Sequence, residues 1–361
     1  MKNTESCDWL LQNGGPIVRY LTEKEMTRPC ASSAGEMREE LLQSSVVRYW
    51  MGCLTGRTTF SDIHGSRDTC FENVMGKLTL FGLRKGMGDL DRRCEPYLVW
   101  LKKVGEEEQD VLTVLCRSIV VSFLSAAGYS TEKEVRDLVI ERIEQIHEFT
   151  GRRNYSIYVD RSKFKGIPRA YDNYPLVDPD LYPDGDFPLP WIYDIFAFRA
   201  IFHYSCGNRI RNMIEDIVSY ILDLRYQQLH EGYGIVRTGN KRYHVMGWGV
   251  WLPGYGRLHT SAHKMACLVQ RLALMSSFAR VRSSKWFSEN VNMLAGYENR
   301  PGRYSFPREY IREKRNSYYV TGAHMGLGED RRLASALEIE STWWMRKILN
   351  DFDATEGVKN A

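Results

Sequence analysis

Residues 64–83 read HGSRDTCFENVMGKLTLFGL, and the fold turns on how this stretch is read. It opens with polar and charged side chains and then becomes apolar. Phe71, Met75, Leu78 and Gly82 recur at roughly 3.6-residue spacing, with Val74 and Phe81 widening the face, so the pattern predicts a core helix. Ser66 or Asp68 is placed as its N-cap, because a short side-chain oxygen can accept a hydrogen bond from an unpaired first-turn N–H. Gly82 suits the stop, where a left-handed residue without a Cβ is unstrained. His64, Arg67, Asp68 and Glu72 then gather at one end of a buried helix. They form either an elaborate cap or one wall of a site.

Working outward, the chain falls into pairs of helices of unlike polarity. Residues 111–127 (VLTVLCRSIVVSFLSAA) are apolar nearly all round, as a helix enclosed on both sides should be. Residues 132–149 carry a single stripe, Val135, Leu138, Val139, Ile143, Ile146 and Phe149, opposite a charged face. Residues 191–205 and 208–229 repeat the alternation, the latter through Ile210, Met213, Ile214, Ile217, Ile221 and Leu224. Residues 258–279 followed by 284–295 read the same way, and a last helix is expected over 329–350. Earlier, a turn at Asn13-Gly14-Gly15-Pro16 precedes 17–26, and 36–54 reads as one helix.

The joints between paired helices share a form, with a glycine or small residue and then a short polar turn. They occur at Gly82-Leu83, Gly128-Tyr129, Cys206-Gly207-Asn208 and Leu327-Gly328-Glu329-Asp330. Their spacing is irregular, about 45 to 80 residues, which describes a degenerate repeat of helical hairpins. Strand-like alternation is scarce. The best run, residues 155–159, lies in a long Pro- and Tyr-rich excursion over 151–190, and a loop of that length is usually functional or decorative. Alternating buried and amphipathic helices close most simply as inner helices ringed by outer ones. The expected fold is therefore all-α, an α/α toroid of five or six helical hairpins. It is read as a single domain over 1–361 with 1–35 as an N-terminal extension packed on it.

Composition narrows the function classes. Of 361 residues, 43% are hydrophobic and 26% charged, with a net charge of +4 and no Lys/Arg-rich run, which argues against nucleic acid or membrane binding through bulk charge. Residues 111–127 are the most apolar run, yet Arg117 interrupts them and they fall short of the roughly 20 residues that span a bilayer. No integral membrane segment or signal peptide is read, and the expected location is cytoplasmic. The eight cysteines, Cys7, Cys30, Cys53, Cys70, Cys94, Cys116, Cys206 and Cys267, form no CxxC pair, which suits reduced, buried thiols.

The unit SRDTCFENVMGKLTLFGL resembles the inner-helix repeat of terpenoid cyclases and protein prenyltransferase β-subunits, where a polar cluster precedes an apolar helix ending in Leu-Gly or Gly-Leu. Leu258-His259-Thr260-Ser261 and Asn299-Arg300-Pro301-Gly302-Arg303-Tyr304 have a similar character. Over residues 5–350 the chain resembles prokaryotic members of that superfamily. The matching features are Trp9-Leu10-Leu11, Val18-Arg19-Tyr20, His64-Gly65 with Asp68 and Glu72-Asn73, Gly302-Arg303-Tyr304 and Glu340-Ser341-Thr342. The resemblance implies a toroid with a central cavity for an isoprenoid or other apolar ligand. Some such proteins carry a nitrogen-fixation label, but the nitrogenase iron protein needs a GxxxxGK[ST] phosphate loop, which this chain lacks.

The motifs that carry chemistry in that superfamily are missing. There is no DxDD for protonating an alkene and no DDxxD for magnesium. The nearest acidic pieces are Asp89-Leu90-Asp91, Asp178-Pro179-Asp180 and Asp184-Gly185-Asp186. His203 and Cys206 share a helix face behind Asp194, and His259 and His263 are spaced i, i+4. Neither pair has a fixed third ligand, so no metal site is assigned and no cofactor is named.

His64, Asp68 and Glu72 could serve as orienting group, acid and base, because carboxylates at i and i+4 face the same way and burial would separate their pKa values. Asp194 and His259 join them as catalytic candidates at the same cavity mouth. Arg67, Trp248, Trp251, Tyr304, Tyr318 and Tyr319 are the ligand-binding candidates. Three readings stay open: a cyclase/prenyltransferase-like ligand cavity, a carbohydrate-active toroid using paired carboxylates, and a non-catalytic scaffold binding a ligand or protein. On the first two readings the expected partner is a small apolar or sugar ligand in a central cavity, and the oligomeric state is undetermined.

Overall fold

The computed structural model describes residues 2–27, 31–104, 110–203, 207–255, 265 and 267–353. Helix dominates, as the periodicities lead one to expect. The chain divides into two compact units, one of residues 1–55, 65–93 and 257–361, the other of residues 56–64 and 94–256. The opening stretch straddles this division, with His64 in the second unit and Gly65 onward in the first.

In the first unit the helix Ala334–Asp353 packs against the helices Lys2–Asn13, Pro16–Met26 and Leu268–Met275. Leu10, Ile17, Val18 and Leu21 are buried, so the N-terminal residues supply core to this unit. The helix Phe71–Leu80 packs against the helix Ser45–Cys53 and the 3-10 turn Tyr319–Thr321. Every residue from Phe71 to Leu78 is buried, which explains the breadth of its apolar face. Gly76 allows the closest approach, since a Cβ there would stand 2.4 Å from Cγ of Tyr319.

The helix ends as its sequence predicts and begins differently. At the C-terminus, Leu83 N–H donates to Leu78 O at 3.0 Å and Gly82 N–H to Thr79 O at 3.1 Å, with Gly82 at φ +87°. This is the paired closure that a left-handed glycine permits. At the N-terminus the cap position is Cys70, with no side-chain hydrogen bond, so neither Ser66 nor Asp68 caps the helix. Asp68 accepts instead from the guanidinium of Arg315, a charged donor stronger than a first-turn amide, and from the backbone N–H of Asn316.

In the second unit the helices Val111–Ala126 and Ile192–His203 lie side by side. The helices Lys133–Gly151 and Asn208–Ile221 likewise pair with each other. The first two are buried on most faces, whereas the second two bury single stripes: Val135, Val139, Ile143 and Ile146, and Ile210, Ile214, Ile217 and Ile221. Buried helices thus adjoin buried helices, and amphipathic ones adjoin their like. Asp110 starts the Val111–Ala126 helix by accepting from the N–H groups of Leu112 and Thr113 at 3.1 and 2.8 Å.

Several boundaries differ from expectation. Residues 36–54 form two helices, Ala31–Gln43 and Ser45–Cys53, broken at Ser44. Ser44 turns out of helical geometry to ψ +131° and becomes the N-cap position of the second helix, without a side-chain cap bond. Helix over 208–229 stops at Ile221, because Asp223 caps a separate short helix, Leu224–Gln227, through Arg225 N–H at 2.9 Å. The last helix starts at Ala334, not at residue 329. Of the helix expected over 258–279, Leu268–Met275 is found and it ends there, a turn at 276–278 separating it from the short helix Ala279–Arg282, while residues 258–264 and 266 lie outside the described residues.

Among the described residues the all-helical expectation meets two exceptions, an antiparallel pair of short strands in the first unit (Glu298–Arg300 with Arg303–Tyr304) and a small sheet in the second. The sheet's strands are β1 (Tyr158–Val159), β2 (Leu176–Val177), β3 (Ile235–Gly239) and β4 (Arg242–Val245), in that order. The β1–β2 and β3–β4 pairs are antiparallel, and β2–β3 is parallel through Leu176 and Ile235. Leu176, Ile235 and Tyr243 make a core on which Val159, Phe164, Ile167, Tyr171 and Tyr174 pack. The excursion over 151–190 is therefore held in place by its own tyrosines and this sheet. Gly239-Asn240 between β-branched and aromatic residues is the hairpin signal that reading for helices passed over.

Candidate functional site

Asp68 is buried, with 4% of its surface exposed. Its Oδ2 accepts from Arg315 Nε at 2.7 Å and Tyr49 Oη at 3.2 Å, and its Oδ1 accepts from Asn316 N–H at 2.7 Å. Burial opposes its charge, but these bonds together hold the carboxyl below its ordinary range. Burial, followed by Cys53 and the carboxylate of Asp68, pushes the Tyr49 phenol up to about 12. Asn316 sits in the left-handed region at φ +51°, so its N–H is aimed at Asp68 by a backbone conformation unusual outside glycine.

Glu72 is fully buried, and its Oε1 accepts from Gly65 N–H at 2.8 Å. The next residue, Asn73, donates to Gly65 O and Arg67 O at 2.8 Å each, and its Oδ1 accepts from Tyr319 N–H at 2.7 Å. Glu72 and Asn73 therefore tie the loop before the helix to the helix itself. Arg67 is exposed, Tyr318 half-buried and Tyr319 buried on Gly76.

One turn further along, Lys77 is 1% exposed. Its Nζ donates to Glu313 Oε2 at 3.0 Å, Gly326 O at 2.7 Å and His324 O at 3.3 Å. Burial pushes the Lys77 amine down, and the carboxylate of Glu313 pulls it back up. Glu313 also accepts from Gly326 N–H at 2.7 Å, and its other oxygen lies 4.0 Å from His324 Nδ1. Burial opposes the charge of Glu313, yet Lys77 and His324 hold its carboxyl well below the usual range. His324 is fully buried, edge-on to Trp50 with ring centroids 5.5 Å apart, and its Nε2 lies 2.6 Å from Ser317 O.

Glu340, fully buried on the last helix, accepts from Leu327 N–H at 2.7 Å and pairs with Arg331. Burial pushes its carboxyl up. Lys77, Glu313, His324 and Arg331 thus fasten residues 311–331 to two helices. Reading the sequence passed over Lys77, although a lone lysine inside an apolar helix asks for a buried partner.

The second unit holds the other nominated residues. Asp194, 1% exposed, accepts from Trp191 N–H at 2.8 Å and from two guanidinium nitrogens of Arg142 at 3.0 and 3.2 Å. Arg142 also donates to Phe187 O, Leu189 O and Gln145, and lies over the Trp191 ring. His64 packs edge-on against Trp248 at 4.7 Å between centroids, with Phe60 at 5.7 Å, and its Nδ1 lies 3.5 Å from Tyr193 Oη. His64 and Trp248 are thereby brought together, whereas His64 falls in a different unit from Asp68 and Glu72.

Trp251 and Tyr304 are buried. Trp251 belongs to the second unit, and Tyr304 belongs to the first, where its backbone N–H donates to Thr342 Oγ1 at 3.0 Å. His259, His263 and Cys206 lie outside the described residues, as does the side chain of His203. Among the described residues, no three His, Cys, Asp or Glu side chains converge as metal ligands, and no helix is long and apolar enough to cross a membrane.

Two clefts in the second unit differ in capacity. One lies along Arg117, Ser118, Ser122, Gln145, Arg142 and Asp194 with about 20 Å³ of room, enough for little beyond a water. The other offers about 410 Å³, lined by Asp110, Asp180, Tyr182, Arg237, Thr238 and Asn240 among others. Asp110 is committed to capping its helix, while Arg237 and Asn240 are exposed beside the β3–β4 turn. Compared with known proteins, the chain matches no family model, no curated protein and no solved structure.

Proposed function

We propose that this chain is a helical-hairpin protein of the α/α-toroid type, related in design to terpenoid cyclases and prenyltransferase β-subunits, which binds a small polar ligand. In this reading it does not use its buried carboxylates as acid and base. The side-by-side pairing of Val111–Ala126 with Ile192–His203, and of Lys133–Gly151 with Asn208–Ile221, supports the toroid, because inner and outer layers require that sorting.

The observation that carries the functional half is how the nominated carboxylates are occupied. Asp68, Glu72 and Asp194 direct their oxygens to arginines and backbone N–H groups. A general acid must hold its proton near neutral pH, which needs a raised pKa, and that of Asp68 is lowered. These groups act as struts, which favours the binding-scaffold reading over a paired-carboxylate hydrolase.

The cleft of about 410 Å³ falls within the usual size of small-ligand sites, and its Asp, Arg, Thr and Asn lining suits a hydroxyl-rich ligand such as a sugar better than an isoprenoid. The test is a thermal-shift screen of mono- and oligosaccharides against prenyl alcohols, repeated with an Arg237→Ala/Asn240→Ala double variant. A stabilising sugar whose effect is lost in the variant is the expected result. Stabilisation by prenyl alcohols alone would overturn the choice of ligand. Glu72→Gln and Asp68→Ala that melt like the unmodified chain would overturn the strut assignment.

A further inference from the structure

We propose that the turn ending the Phe71–Leu80 helix is an oxyanion site, in which Lys24, Arg38 and Arg84 bind phosphate or a phosphate monoester. The three cations reach this turn from three separate segments of the first unit. Lys24 Nζ lies 3.5 Å from Gly82 O and 3.4 Å from Tyr20 Oη. Arg84 Nη1 donates to Thr79 O at 2.9 Å and Leu83 O at 2.8 Å, and Arg38 Nη2 donates to Gly86 O.

Carbonyls at a helix C-terminus attract cations, which explains the assembly, but as partial charges they cannot neutralise three of them. The nearby carboxylates are engaged elsewhere: Glu25 pairs with Lys347 at 2.8 Å, and Asp91 accepts from Gly86 N–H at 3.1 and 3.0 Å. Among the described residues none of the three cations forms an ion pair. Their mutual repulsion is visible at Lys24, whose amine is pushed down to about 8, by burial first and then by Arg84 and Arg38, with Glu25 opposing and Lys347 adding to the effect. The same two arginines act on the Tyr20 phenol, which burial nevertheless raises.

Among the described residues, the bonds formed use Nη1 of Arg84 and Nη2 of Arg38, and the other guanidinium N–H groups are open to a ligand. Guanidinium forks match phosphate oxygens in bidentate fashion, and a lysine adds a compact point charge. A bound dianion attracts each of the three cations and so offsets the repulsion among them. This site involves none of the residues invoked for ligand binding in the second unit and does not rest on that reading.

The test follows acetylation of Lys24 by acetic anhydride, read by peptide mass spectrometry across the neutral-to-alkaline range. Chloride and inorganic phosphate are compared at equal ionic strength, with exposed Lys133 as internal control. Phosphate should slow labelling of Lys24 several-fold and move its midpoint upward from about 8, leaving Lys133 unchanged. Glycerol phosphate forms a second arm: protection by either species supports the site, and protection by one alone names the source. Arg38→Gln leaves the Arg84 bonds to Thr79 and Leu83 in place, so it should remove the protection without changing the thermal melt. Equal labelling with and without both phosphates, equal slowing of Lys133, or protection that survives Arg38→Gln/Arg84→Gln would overturn the proposal.

Discussion

Replacing Lys77 with methionine tests the buried network most directly. The substitution keeps an unbranched side chain, one heavy atom shorter, and removes the ammonium. Glu313 Oε2, Gly326 O and His324 O then lose a donor now placed at 3.0, 2.7 and 3.3 Å. Removing one partner of a buried ion pair costs about 3–5 kcal/mol. Two effects set the place within that range. The orphaned carbonyls of Gly326 and His324, both on buried residues, push the cost up. The side chain of Glu313 keeps 31% of its surface exposed, so water can reach its carboxylate and the cost falls.

We expect the lower end, about 3 kcal/mol, which for a unit of this size lowers the melting temperature by about 6–12 °C. Differential scanning calorimetry at neutral pH reads it, with urea unfolding as a check. The double variant Lys77→Met/Glu313→Gln should recover part of the loss, since it removes the uncompensated charge. A melting temperature for Lys77→Met within about 2 °C of the unmodified chain would show that the network contributes nothing net.

Acid should act on the same cluster through Glu313. Its folded pKa is depressed from 4.5 to about 2, so its stabilising contribution is fully present above 4.5 and is lost as pH falls toward about 2. Glu313→Gln should flatten the acid limb of a stability–pH curve in that window, as measured by urea midpoints. Gly76→Ala sets a Cβ 2.4 Å from Cγ of Tyr319 and should cost about 1–3 kcal/mol by overpacking; pairing it with Tyr319→Ala should make the two changes non-additive in a denaturant cycle. Asp194→Ala leaves the Arg142 guanidinium without its buried carboxylate and should cost about 3–5 kcal/mol in urea unfolding, whereas Arg142→Met/Asp194→Leu should be milder. Asp68→Asn keeps an acceptor for Asn316 N–H and loses an ion pair whose arginine side chain is 68% exposed, so a loss below about 1 kcal/mol is expected.

Local chemistry accounts for what could be read along the chain. The Val111–Ala126 helix, its amphipathic follower Lys133–Gly151 and the glycine stop at Gly82 are each specified within a few turns of sequence, so periodicity and turn residues reveal them. The β3–β4 hairpin was also legible in Gly239-Asn240, had the neighbouring residues been read at a period of two.

The carboxylates were legible as buried but not in their roles. Asp68 meets Arg315 across 247 positions, and Lys77 meets Glu313 across 236. Whether a buried carboxylate is an acid or a strut depends on the charge and donors that surround it, and those arrive from distant segments. By itself, then, the sequence determined which segments are helical and which faces they bury, though not all their boundaries, because apolar periodicity is a property of neighbouring residues. Only the tertiary structure decided which charges meet, placing His64 in one unit and Asp68 and Glu72 in the other, and gathering Lys24, Arg38 and Arg84 at one helix end.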